Sequence, residues 1–280
     1  MNMPQSAGSM TTRPVHWPFR RSDVFARITD NESRLAVIHS LPGMLVWPIL
    51  MVGLAYAFQI AVIIAWSQLG GDALQINFST TSFAALVMGY ACFALILWER
   101  LKRHGVHRSA FSVLPVSLGE VAAGLAVLAF MIIIGGRITL MLHEYAMADP
   151  SLTLSGGASR EDLSNIDEFA QSGAALWAVI LLTLVAAPLV EEILFRGWML
   201  PMMMARGVPA LFAIVISAAA FGLLHITQGL MVMISTFILG LALGLARVMT
   251  GRVAAPVIGH VANNAWAVFA VPALLEHVGG

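Results

Sequence analysis

Long apolar runs separated by short polar clusters dominate the chain. Nearly uncharged runs occupy residues 44–66, 82–98, 117–141, 173–205, 209–226, 229–249 and 254–274. About 20 apolar residues at a rise of about 1.5 Å per residue cross a hydrocarbon core, so each run predicts a membrane-spanning helix. The fourth run is over-long, and Pro201 predicts a break in it, because proline lacks the amide hydrogen that a helix interior uses. The pattern therefore predicts about seven transmembrane helices, or eight if the fourth divides. Upstream, residues 1–21 hold Pro4, Pro14, Pro18 and scattered arginines and read as a disordered cytoplasmic tail. From Ser22 to Leu41, the residues Phe25, Ile28, Leu35 and Ile38 recur near helical spacing among Arg27, Asp30, Glu32 and Arg34. That alternation predicts an amphipathic helix at the membrane surface. The fold class is all-α, a polytopic integral membrane helical bundle. It has a cytoplasmic tail and amphipathic helix over 1–43 and a single transmembrane domain over 44–280.

Composition sharpens this picture. The chain is 59% hydrophobic and only 11% charged, against about 25% charged in soluble domains. Mean hydropathy is +0.85. Net charge is zero, which leaves no basic surface for nucleic acid. Cys92 is the single cysteine, which excludes an intrachain disulfide and a cysteine-based metal site. The first apolar run begins after about 40 residues and is too long for the core of a cleavable signal peptide.

Basic residues set the expected orientation. With a cytoplasmic N-terminus, the inside segments hold Arg13, Arg20, Arg21, Arg27 and Arg34, then Arg100, Lys102, Arg103 and Arg108, then Arg196 and Arg206, then Arg247 and Arg252. Only Arg137 and Arg160 fall toward the other side. The acidic 142–172 loop is expected outside, and with seven spans so is the C-terminus. Short loops and compact size suggest a bacterial plasma membrane.

Polar residues inside membrane spans are costly and mark candidate chemistry. Three islands stand out, all in the later spans. The first is Glu191-Glu192-x-x-x-Arg196. Glu192 and Arg196 are four apart, acid first, the favourable order for a pair on one helix face. Glu191 points about 100° away and is left for something else. The second island is Phe221-Gly222-Leu223-Leu224-His225, and the third is His260-Val261-Ala262-Asn263-Asn264. Only His225 and His260, among eight histidines, are embedded in apolar spans. A hairpin centred on Val208 puts Glu191 and His225 at equal depth. His260 lies about 12 Å along its helix from Arg252 at the α-helical rise. The expected site is thus below the cytoplasmic surface, within the hydrocarbon zone. Glu120 and Arg137, near the two ends of the third span, are expected to snorkel or to make ordinary interhelical bonds.

These groups allow two chemistries. A carboxylate beside an imidazole can take a proton from water, while a second histidine and an asparagine amide donate hydrogen bonds to a developing oxyanion. Alternatively, His225, His260 and Glu191 could hold one divalent metal such as zinc with an open coordination position. Either histidine alone could simply bond a carbonyl of a neighbouring helix.

The three islands, in this order and each in an apolar span, resemble the CAAX prenyl endopeptidase and bacteriocin-processing family of intramembrane proteases, also called the Abi family. Its pattern is E-E-x-x-x-R, F-x-x-x-H and H-x-x-x-N on successive late spans. The resemblance covers roughly 174–272, within a four-helix core at about 173–274. It implies an endopeptidase with a water-filled cavity opening toward the cytosol. Glu191 and His225 would activate water, and His260 and Asn264 would stabilise the oxyanion. Glu192 and Arg196 would support the first helix, and Phe221 completes the second motif. The implied partners are the lipid bilayer and a peptide or protein substrate, membrane-anchored ones included. The first three spans carry no signature. A non-catalytic scaffold or bacteriocin-immunity protein is the alternative from another class. An ion or proton transporter ranks last, because no internal repeat is visible.

Overall fold

The computed structural model describes residues 43–71, 80–103, 105–138, 141, 177 and 180–270. The expected tail and amphipathic helix, the 142–172 loop and the end of the last predicted span lie outside the described residues. Among the described residues every regular element is helical. In order they are α1 (Val46–Gln68), α2 (Thr80–Arg103), α3 (Leu118–Phe130), α4 (residues 181–205), α5 (Ala210–Leu223), α6 (Leu230–Thr250) and α7 (Ala254–Ala265). Each predicted apolar run contains one of them. The helices Gly43–Gln68, Ala84–Arg103, Leu118–Ile138 and Leu230–Thr250 are long and apolar enough to cross a membrane, and α5 is a shorter apolar helix. The chain is an integral membrane protein built as a helical bundle.

The helices pair as α1 with α2, α5 with α6, and α3 with α7, and α4 runs between them against α2, α5, α6 and α7. Residues 190–203 of α4 are buried without interruption. A helix apolar on all sides and enclosed by others is a core helix. Large side chains such as Ile49, Ile60, Leu95, Ile133 and Leu211 point outward, where a bilayer solvates them. The start of α3 is fixed by a capping box between Ser117 and Glu120. Glu120 also faces Arg252 Nε at 3.4 Å, so its role is a cap with an interhelical ion pair.

The break predicted at Pro201 is absent. α4 is continuous, and it changes winding instead. π-helical turns at Leu181–Ala186 and Ile193–Met199 alternate with α-helical segments at Ala187–Glu192 and Leu200–Ala205. Pro188 and Pro201 each sit in the first turn of the α-segment that follows a π-turn. Leu200 N–H bonds back to Phe195 O, and Ala187 N–H to Leu182 O, each five residues earlier. The missing proline amides thus coincide with wider turns in an unbroken helix.

Small residues set the helix separations. At Gly89 on α2, an added Cβ would lie 2.5 Å from Ala55 Cα on α1. Gly53 on α1 has open space around it. Gly89→Val is therefore expected to destabilise the protein by about 1–3 kcal/mol through overpacking. Gly53→Val should stay close to wild type; thermal melting in detergent compares the two.

Candidate functional site

The site begins with Arg196, which is fully buried together with Glu192. Arg196 Nη1 donates to Glu192 Oε1 at 2.8 Å, the pair expected from their spacing. Nη2 donates to Gly240 O at 3.0 Å, halfway along α6. Gly240 permits that approach, since a Cβ there would lie 3.2 Å from Nη2 and 3.0 Å from Ala218 Cα. The guanidinium also stands 4.7 Å from the centre of the Phe221 ring, a cation–π arrangement.

Glu192 does more than neutralise Arg196. Its Oε1 also accepts from His260 Nδ1 at 2.9 Å. A carboxylate oxygen only accepts, so Nδ1 carries the hydrogen and Nε2 is turned outward. His260 Nε2 lies 3.9 Å from Glu191 Oε2. Glu191 Oε1 accepts from Tyr90 Oη at 3.1 Å. Phe221 lies between the two imidazoles, edge-to-face with His225 at 5.1 Å and with His260 at 5.5 Å. His225 follows the end of α5, and its Nδ1 bonds Phe221 O at 3.0 Å. A carbonyl cannot donate, so Nδ1 carries the hydrogen and the neutral ring presents Nε2 as an acceptor.

Glu191, His225, His260 and Asn264 line one cavity of about 500 Å³, joined by Tyr90 and Tyr56 from the early hairpin. The predicted catalytic residues thus meet, and Glu192, Arg196 and Phe221 stand behind them. Asn264 is already engaged, since its Nδ2 donates to Thr183 O at 3.0 Å. Among the described residues, no group of three or more His, Cys, Asp or Glu side chains is placed to hold a metal ion.

Two features depart from expectation. The early spans do contribute: Tyr90 of α2 bonds Glu191 directly. Of three tyrosines in the chain, Tyr56 and Tyr90 put a hydroxyl inside an apolar run, a signal that lies outside the three motifs. The cavity also extends away from the arginine-bearing ends of the helices. It follows Thr183 and Ala187 on α4, Ala267 on α7 and Gln228 at the α5–α6 turn. On the other side, Leu194, Phe195, Trp198, Met199 and Met202 are packed solid. The expected orientation and a mouth on the cytosolic side do not both fit this geometry.

The π-turns account for two further contacts. Arg196 O would find its partner five residues on at Pro201, which has no N–H. Arg247 Nε fills the gap at 2.8 Å. Thr183 O would find its partner at Pro188, and Asn264 supplies the missing donor.

An apolar helical bundle that holds a carboxylate, two imidazoles and an amide around an internal cavity defines a membrane-embedded polar site of the kind enzymes use. Residues 173–266 match the family model described as Type II CAAX prenyl endopeptidase Rce1-like. The matched stretch holds the late helices, which are thus similar to a family of proteases. No curated protein and no solved structure matches the chain.

The shared carbonyl gives a test. Arg247→Met should cost about 1–3 kcal/mol by leaving Arg196 O unpaired. Pro201→Ala restores an amide at that position and should recover part of the loss in the double variant. Melting temperatures of the two single variants and the double variant check this, and purely additive effects would contradict it.

Proposed function

We propose that this protein is an intramembrane endopeptidase that hydrolyses a peptide bond with water activated at Glu191. The observation that carries the proposal is the disposition of the Glu191 carboxylate. One oxygen is held by Tyr90, and the other looks across 3.9 Å toward His260 Nε2 in the cavity that His225 also lines. A polar separation of that size leaves room for a bridging water.

In this reading a water beside Glu191 Oε2 attacks the carbonyl carbon of the scissile bond. A new C–O bond forms, and the water proton passes to the carboxylate. His225 Nε2, kept as an acceptor by the Nδ1 bond to Phe221, shares that proton. The negative charge that develops on the carbonyl oxygen is met by N–H donors from His260 and Asn264. For this role His260 carries hydrogen on both ring nitrogens, Nδ1 toward Glu192 and Nε2 toward the oxyanion. With that ring charged, Glu191, Glu192, Arg196 and His260 together carry no net charge, a favourable balance for buried groups. The proton then goes to the leaving nitrogen, the C–N bond breaks, and a carboxylic acid and an amine leave. Asn264 keeps one N–H for the oxyanion while the other fixes it to Thr183. No step runs through a metal.

Glu191→Gln should lower cleavage by about 100-fold or more, the usual contribution of a general base, while the protein still folds. His225→Ala should behave likewise, and Tyr90→Phe should retain partial activity. The readout is the set of new peptide termini in membranes of cells expressing each variant. Wild-type levels of those termini in the Glu191→Gln cells would overturn the proposal and favour a non-catalytic scaffold.

A further inference from the structure

Two independent observations concern the two ends of this bundle. The first is where the cations lie. The start of α1 stands beside the end of α2, as Val46, Trp47, Glu99 and Arg103 line one surface groove. Arg252, just before α7, reaches Glu120 at the start of α3. Arg247, near the end of α6, reaches Arg196 O. One end of the bundle therefore gathers Arg100, Lys102, Arg103, Arg108, Arg206 and Arg252. Of the described residues, only Arg137, near the end of α3, belongs to the other end. An excess of Lys and Arg in short flanking segments marks the cytoplasmic side.

The second observation is where the cavity goes. On every late helix its lining lies on the opposite side of the Glu191–His260 level from those cations. On α4 it runs from Glu191 back to Thr183, and from His260 on α7 forward to Val268 in the π-turn Trp266–Ala270 that follows it. On α6 it takes the first half of the helix, from Val232 to Leu239. His225 and Gln228 belong to the α5–α6 turn, which is the far end of that hairpin. Toward the arginine end the way is filled by Phe195, Trp198 and Met202, each with no exposed surface. Trp198 is backed by Trp47 of α1 with ring centres 5.6 Å apart.

We infer that the cavity receives its substrate from the non-cytoplasmic face of the membrane. The inference rests on the proposed hydrolytic reading for the word substrate, but not for the direction of access. The substrate class it selects is a membrane-anchored polypeptide whose cleavable segment is presented at the outer side. A protein that presents a lipidated C-terminus from the cytosol meets the sealed end.

Cysteine accessibility tests the direction. In a Cys92→Ala background, single cysteines are placed at Gln228 and Ser235 in the cavity and at Ser109 on the arginine end. A membrane-impermeant maleimide is applied to spheroplasts and, separately, to inside-out vesicles. The expected result is that Gln228→Cys and Ser235→Cys are blocked in spheroplasts and lose later labelling, while Ser109→Cys is blocked only in inside-out vesicles. Protection of the two cavity positions in spheroplasts overturns the inference. The pattern does not depend on whether the site hydrolyses anything. The same labelling in a Glu191→Gln background, which speaks to hydrolysis alone, keeps the two failures distinguishable.

Discussion

A buried guanidinium governs the late half of this bundle. Arg196 has no exposed surface, and removing such an ion from water costs several kcal/mol even after relaxation. The protein offsets that cost from three directions: a carboxylate on the same helix, the Gly240 carbonyl on α6 and the Phe221 ring on α5. Because Glu192 Oε1 is shared with His260 Nδ1, the same ion pair also sets the ring of α7. Four helices are therefore held by one cation and its counter-ion. Glu191, the next residue along, is turned by the helical rotation out of that pair and into the cavity. The supporting pair and the cavity-facing carboxylate can be sequence neighbours because a helix sends adjacent residues in different directions.

The second constraint is the backbone of α4. In hydrocarbon there is no water to satisfy a freed carbonyl, so a proline in a buried helix obliges some other group to donate. α4 meets this twice by the same means. Pro188 releases Thr183 O, which takes Asn264, and Pro201 releases Arg196 O, which takes Arg247. Each bond crosses to another helix. Asn264 is thereby fixed from behind, with its remaining amide hydrogen directed by a backbone it does not belong to. The prolines consequently mark interhelical tethers, and α4 continues unbroken through the wide turns that accompany them.

Much of this was legible in the sequence, for a definite reason. Glu191, Glu192, Arg196, His225 and His260 are ionisable groups in apolar runs, where chance placement is costly. The Glu192–Arg196 pair followed from spacing alone. The helices themselves followed from the length of the apolar runs. Tyr90 did not, because an isolated tyrosine in a span is ordinary, and its partner Glu191 is 101 residues away. The role of Glu192 toward His260 was missed for the same reason, since local spacing already gave Glu192 a sufficient partner. The continuity of α4 through Pro201 was hidden because a regular α-helix was assumed, and the π-turns change which amide each carbonyl meets. The depth arithmetic put Glu191 and His225 together, but a depth does not say on which side of the site the side chains are small.

That last point bears on the choice between an enzyme and a proton relay. A relay needs polar groups or water toward both faces of the membrane. Among the described residues the polar lining is on one side of Glu191. From Glu191 it passes to Tyr90, Asn264, Thr236 and Gln228. In the other direction the next side chains along α4 are Leu194, Phe195, Trp198 and Met199, all buried. Arg196 and Arg247 lie in that direction as well, yet each is committed to a carbonyl. Fixed cations among apolar side chains oppose the passage of a proton and do not assist it. A cavity lined with polar groups on one side and backed by packed apolar side chains on the other suits the proposed hydrolysis, whose reactants and products would use the same mouth, better than a path across the bilayer.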